Sequence, residues 1–342
     1  MKPLVVGILI VSAWSAQAQP EKAYQANEAG LAAYARADYA GAEQLYEQAI
    51  EIWRAEGAKF EPHLSITLYN FGQALCQDGK WAEGERVFTE GLSLARKSLG
   101  LKNINTVSLF NALGAAEFVR GETEAAEENY NQALTIGREL FPNHVQTRHA
   151  LMSMAGLRMR QHRSDEAVQF ADEALRLTLE AEGENTVEGA MAYSCAAQAR
   201  RAQGRPELAI PLFKKARALW TAIAPNSPRV ASLMSQEGLA LMDDGQLGQA
   251  EKDMKGALDI LSRCNGCGYE LAVAQTNWGV LLSHKGKLSE AAAVLNSALK
   301  IEQQITGSDS GLSTNTREAI AKLRDQQNRL AARPEKANGL VN

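Results

Sequence analysis

The sequence predicts an all-α solenoid of seven helix-turn-helix units, and three regularities predict it. First, a small residue recurs at Gly30, Gly72, Gly114, Gly156, Ala197, Gly238 and Gly279, with gaps of 42, 42, 42, 41, 41 and 41 residues. A self-similar period of that size is one supersecondary unit copied and stacked. Second, a small, a large and again a small residue follow most of these anchors by 12, 16 and 19 positions. They are Ala42, Tyr46 and Ala49 in the first unit, Gly84, Phe88 and Gly91 in the second, and Ala291, Leu295 and Ala298 in the seventh. That spacing puts all three on one helix face, where small, large, small lets two helices close around one bulky knob. Third, Gly79, Gly121, Gly204, Gly245 and Gly286 stand seven residues after their anchors, where the first helix must end and the chain reverse.

Residues 1–18 are read separately. Lys2 gives a positive start, Leu4–Val11 is an apolar run, and Ala16-Gln17-Ala18 is a small-x-small cleavage signal. Together they make the three parts of a secretory leader, too short in its apolar run to span a bilayer. The expectation is export to a periplasm or the outside, with the mature chain beginning near Gln19.

The units then run over residues 22–306. The first has Ala37 where the others carry a turn glycine. The fourth is one residue short at Gln161-His162-Arg163, with Ala167, Ala171 and Ala174 taking its second-helix positions. Residues 312–332 are helical in pattern, with Ile320, Leu323 and Leu330 apolar among charges, and are expected to cap the last unit. Residues 333–342 are expected to be a disordered tail.

The stretch LYNFGQALCQDGKWAEGERVFTEGLSLA at 68–95 resembles a tetratricopeptide repeat. The long period, and the connectors EGAKFEPHLSITLYNFG and FPNHVQTRHALMSMAG, resemble the kinesin light chain subtype. The resemblance implies a right-handed superhelix whose first helices line a concave groove, and protein or peptide segments as ligands. In such proteins the contacts come from groove-facing residues of the first helices.

Three positions before each anchor stand Asn27, Tyr69, Asn111, Ser153, Ser194, Ser235 and Thr276, all able to hydrogen-bond beside apolar core positions. A polar row of that kind suits the backbone amides of an extended peptide, which need partners once they leave water. The plain alternative is a row that is merely solvated. Asn70 and Asn277, one position on, match the subtype's paired asparagines, although no unit has both. Four positions after the anchor, Arg160 and Arg201 are expected to stack on adjacent units and grip a carboxylate, unless each pairs with a nearby acid. Tyr24, Tyr34, Tyr69 and Phe118 give the amino-terminal half an aromatic character.

Cys264-Asn265-Gly266-Cys267 lies in the last connector. In an oxidising compartment a local disulfide is the simple reading, with a redox pair as its rival. Zinc would need further ligands that the sequence does not space for it. Cys76 and Cys195 are three units apart, too far to bridge at about 10 Å per helix layer.

No nucleophile elbow, phosphate loop, zinc-helix motif or dinucleotide turn occurs, so neither an enzyme nor a bound cofactor or metal is expected. A net charge of −4 with no basic run argues against nucleic acid. The functional expectation is an exported interaction scaffold. Its alternatives are a peptide-sensing solenoid and a redox-linked accessory protein using Cys264 and Cys267.

Overall fold

The computed structural model describes residues 5–264, 266–306 and 313–331, and every regular element among them is helical. The chain divides into two compact units, Met1–Ser153 and Met154–Asn342. The first contains α1 (Val5–Ala35), α2 (Tyr39–Glu56), α3 (Glu61–Gln77), α4 (Trp81–Ser98), α5 (Ile104–Arg120) and α6 (Thr123–Leu140), and the boundary falls inside α7 (Val145–Arg160). The second contains α8 (Ser164–Glu182), α9 (Val187–Ala202), α10 (Pro206–Ile223), α11 (Pro228–Asp243), α12 (Leu247–Ser262), α13 (Gly268–His284), α14 (Leu288–Thr306) and α15 (Thr314–Ala331). Of the expected leader, residues 1–4 lie outside the described residues, and 5–18 form the start of α1. The expected tail, 333–342, also lies outside them.

Helices pair as hairpins, α1 with α2, α3 with α4, α5 with α6, α9 with α10, α11 with α12 and α13 with α14. In both units, second helices also touch the first helix of the following pair, so each hairpin is covered by the next. The starts are chosen by side chains: Asp38 accepts from the Gly41 amide at 3.0 Å and Thr186 from the Gly189 amide at 3.0 Å. Each such cap satisfies an amide that the helix cannot. The hairpin turns need left-handed backbone, which glycine adopts without steric cost, as at Gly121 with φ of 91°. Ala37 and His162 take the same conformation at φ of 60° and 57°.

The recurring small residue sits where the two helices of a hairpin cross. A β-carbon at Gly30 would lie 2.6 Å from the Tyr46 ring, at Gly114 2.8 Å from Tyr130, at Gly238 2.7 Å from Met254 and at Gly279 2.6 Å from Leu295. Gly72 meets the Phe88 ring in the same way. Each partner is the large residue sixteen positions on. Packed interiors leave no room for the extra methyl, so the periodicity is a steric requirement.

The fourth unit corrects the sequence reading. Gly156 is half-buried, and a β-carbon there would meet nothing within 4 Å. Ala155 is fully buried, seven residues before the left-handed His162 and twelve, sixteen and nineteen before the buried Ala167, Ala171 and Ala174. The crossing residue is therefore Ala155. The turn keeps its spacing of seven and the missing residue lies in the connector between α6 and α7, so the groove positions of this unit move back by one.

At the carboxyl end, α15 packs on α13 and α14, burying Leu323 against Leu282 and Leu295. Beneath it Thr276 and Thr316 share a 2.7 Å hydrogen bond, and the Thr316 hydroxyl contacts Glu302 at 2.8 Å. At the amino end, Tyr24, Trp53, Phe60 and His63 form a ring cluster, with Trp53 5.2 Å from both Phe60 and His63. The Trp53 indole donates to Thr67 at 3.1 Å, which satisfies the one polar group of that ring. Among the described residues no helix is long and apolar enough to cross a membrane.

Candidate functional site

In the amino-terminal unit the first helices enclose a cleft of about 290 Å³. Helix α3 contributes Ser65, Ile66, Tyr69 and Asn70, and α5 contributes Ile104, Asn105, Ser108 and Leu109. His144 and Gln146, at the start of α7, close one side. Successive turns of one helix stripe supply these positions, because residues three and four apart stand above one another.

The walls combine fixed and unengaged polar groups. Gln73 and Gln146 stand near the Tyr69 hydroxyl, and burial raises its pKa further above neutrality, so it remains a phenol. Ser65 and Ser108 spend their hydroxyls on the Pro62 and Ile104 carbonyls, at 2.7 and 3.0 Å. Asn70 donates to Asn27 at 3.2 Å. The Asn105 carboxamide has no partner among the described residues; only its backbone amide is engaged, with Asn103. Ile66 is 37% exposed at the mouth. Partial desolvation, then Arg148 and His149, hold the His144 imidazole below its ordinary value, so it is neutral at pH 7. None of the lining side chains carries a full charge there.

Tyr69 and Asn70, expected from sequence, are thus in the cleft. Much of the remaining polar row is used inside the protein. Asn27 accepts from Asn70, and Ser235 accepts from Asn277 at 2.9 Å, so an asparagine of one unit bridges to the row residue of the unit before. Ser235 and Thr276 are buried, at 2% and 6% exposure, and Thr276 lies under α15. Ser194 accepts from Gln198 within its own helix. Asn111 is half-buried with a carbonyl oxygen that has no hydrogen-bond partner. Ser153, in the corrected register, stands at the position of Asn70 rather than of Tyr69.

The arginine pair is corrected. Arg201 is held by Asp243 at 2.7 Å, the next unit's first helix supplying the acid. Arg160 falls one position off the row because the register of its unit shifts; Met159 takes the place opposite. Arg201 is thus spent on an acid of the next unit, the alternative that the sequence left open.

Cys264 and Cys267 stand with Cα atoms 5.6 Å apart, Cys267 buried beside Leu261 and Ala274. Cys76 and Cys195 are also buried, and burial pushes both thiols up to about 12, far from a reactive thiolate.

The sequence reading missed Ile66, Ile104, Asn105 and Gln146. Its signal was present: these lie six, ten and nine positions before their anchors, one and two helical turns back from the polar row. Asn105 and Gln146 become equivalent positions only after the fourth unit is re-registered on Ala155.

The tetratricopeptide repeat family model matches residues 23–97, 63–139, 104–180 and 146–222. The chain belongs to the tetratricopeptide-repeat family. The hairpins α11/α12 and α13/α14, beyond the matched residues, repeat the same crossing geometry, so the tetratricopeptide-repeat architecture continues to residue 306.

No curated protein sequence matches the chain. Among solved structures it is similar to the Rap conjugation gene regulator of plasmid pLS20 in complex with the Phr* peptide, at 15% identity over 83% of this chain and 74% of that one, with a TM-score of 0.67. It is similar to NprR in complex with its cognate peptide NprX, at 12% identity over 90% and 87% of the two chains, TM-score 0.61. A tetratricopeptide repeat protein from Parabacteroides merdae matches at 18% identity over 89% and 99%, TM-score 0.53. At these identities the likeness is one of fold: an all-α repeat solenoid.

Proposed function

We propose that this tetratricopeptide-repeat chain is an exported interaction scaffold that docks protein or peptide segments in the cleft of its amino-terminal unit. The observation that carries the reading is that three successive first helices meet there with an unengaged carboxamide, a tyrosine and an exposed isoleucine, while Ser194, Ser235 and Thr276 of the polar row bond internally. Ligand sites are concave and largely apolar with a few placed polar groups, and this cleft, at the small end of the usual volumes, suits a stretch of chain rather than a folded domain.

Site-specific photocrosslinking tests it. A photoreactive residue at position 66 is expected to give discrete protein adducts in the native cell, and one at Ser93, on the exposed side of α4, is not. The same adduct pattern from both positions contradicts the reading.

Export rests on the leader pattern of residues 1–18. Amino-terminal sequencing of the protein recovered outside the cytoplasm should begin near Gln19. Recovery only from the cytoplasm, with Met1–Gln19 intact, rejects export. In that compartment Cys264 and Cys267 form a structural disulfide, which the intact mass measured without reductant reports.

A second reading has one observation in its favour. Two of the similar folds were solved with peptides bound, Phr* and NprX. A peptide-sensing role follows if the chain compacts on binding, which small-angle scattering at saturation reads directly; an unchanged profile rejects it.

A further inference from the structure

The scaffold reading says that a segment docks, and the lining of the cleft says what kind. Ile66 is exposed at the mouth and the half-buried Ile104 lines the same cleft, backed by the fully buried Leu109. An aliphatic side chain that leaves water against them gains the usual apolar transfer energy. Beside them Asn105 offers one acceptor and two donors in a single plane, none engaged within the described residues. A peptide backbone unit presents the matching donor and acceptor, and a peptide amide that lost water without such a partner would oppose binding. No lining group carries a cation to neutralise an acidic segment or an anion to neutralise a basic one. A charged side chain brought into the cleft would be desolvated without compensation.

We infer that, granted the scaffold reading above, the cleft takes an uncharged, extended peptide segment, seating one aliphatic side chain against Ile66 and Ile104 and pairing one backbone amide with the Asn105 carboxamide. Asn105 is then the orientation-setting residue and Ile66 the one that sets specificity. Tyr69, packed beside the Phe88 ring, forms part of the wall.

The experiment is fluorescence polarisation on the full chain with labelled, end-blocked peptides of Ala, Ser and Gly. One set has a central Ile, one a central Gly, and two carry the central Ile between acidic or between basic residues. The neutral Ile peptide is expected to bind. The Gly-centred peptide and both charged sets should bind about tenfold or more weakly, the scale of one lost apolar side chain or one unpaired polar group. Asn105→Ala should weaken the neutral peptide about tenfold, and Ile66→Lys should abolish it and favour the acidic set. Both side chains are solvent-facing, and unchanged thermal melts will show that the variants fold.

Preference of the native chain for a charged set overturns the inference, as does neutral binding that both variants leave intact. If no peptide binds while position 66 still crosslinks to a protein, the extended-segment inference falls and the scaffold reading stands. If neither is seen, both fall.

Discussion

The polar groups of the first helices serve two purposes in this chain. In the amino-terminal unit, Tyr69 and the neighbouring Asn105 border an open cleft between first helices. In the carboxyl-terminal unit, Ser235 is taken by Asn277, Thr276 by Thr316, and Arg201 by Asp243. The difference is made by what the next hairpin supplies. Where it places an asparagine, a threonine or an acid opposite the row, the polar group becomes part of the stack. Opposite Tyr69 the corresponding residue of the next unit is Ala112, which can take nothing. A polar stripe in a repeat protein therefore marks a ligand surface only where the adjoining unit leaves space beside it.

The largest expected effect concerns the crossing residues. Gly72→Ala should destabilise the protein by about 1–3 kcal/mol, because its methyl must enter the space of the buried Phe88 ring. Gly156→Ala should instead stabilise by about 0.5–1 kcal/mol, since the methyl enters open space and the helix gains a better former. Opposite signs in denaturant melts confirm the re-registered fourth unit; equal losses restore Gly156 as a crossing residue.

A comparable effect is expected from pH in the carboxyl-terminal unit. Glu237 is fully buried, 3.2 Å from Arg217, whose other nitrogen is 3.4 Å from Asp253. Burial first, and then Asp253, raises its pKa from 4.5 to about 7, against the opposing pull of Arg217 and Lys214. A carboxyl with a raised folded value contributes stability below its unfolded value, and that contribution is lost as pH rises through 7. The native chain should therefore lose up to about 3 kcal/mol between pH 5 and pH 8 relative to Glu237→Gln, whose neutral amide does not titrate. Parallel pH profiles for the two proteins would remove the buried carboxyl from the account.

The smallest effect separates stack from site. Asn277→Ala should cost about 1 kcal/mol of stability, one hydrogen bond to a buried serine, and leave peptide binding unchanged. Asn105→Ala should do the reverse. A binding loss from Asn277→Ala would mean that the row in the carboxyl-terminal unit is also read by ligands.

Much of the fold was legible because sterics write it into composition. Gly30, Gly114, Gly238 and Gly279 are each forced to be small by the residue sixteen positions later, and such a constraint repeats visibly. Unit four misled because its large position is Ala171: with no knob to demand a glycine, either Ala155 or Gly156 satisfied the pattern, and only the backbone at His162 decides between them. The site was less legible. Tyr69 and Asn70 were found by their row. Ile66 and Asn105 were not, because their importance depends on what neighbouring helices leave open, which no single-helix spacing records. Whether Arg201 grips a ligand or Asp243 was equally invisible, since both readings need the same arginine.

The most direct test is amide hydrogen exchange of the full chain with and without the neutral, isoleucine-centred peptide. Protection should rise in segments covering 61–77 and 104–120 and stay unchanged over 228–243 and 268–284. Protection confined to 228–284, with none at 61–120, would contradict the central claim that the amino-terminal cleft does the reading.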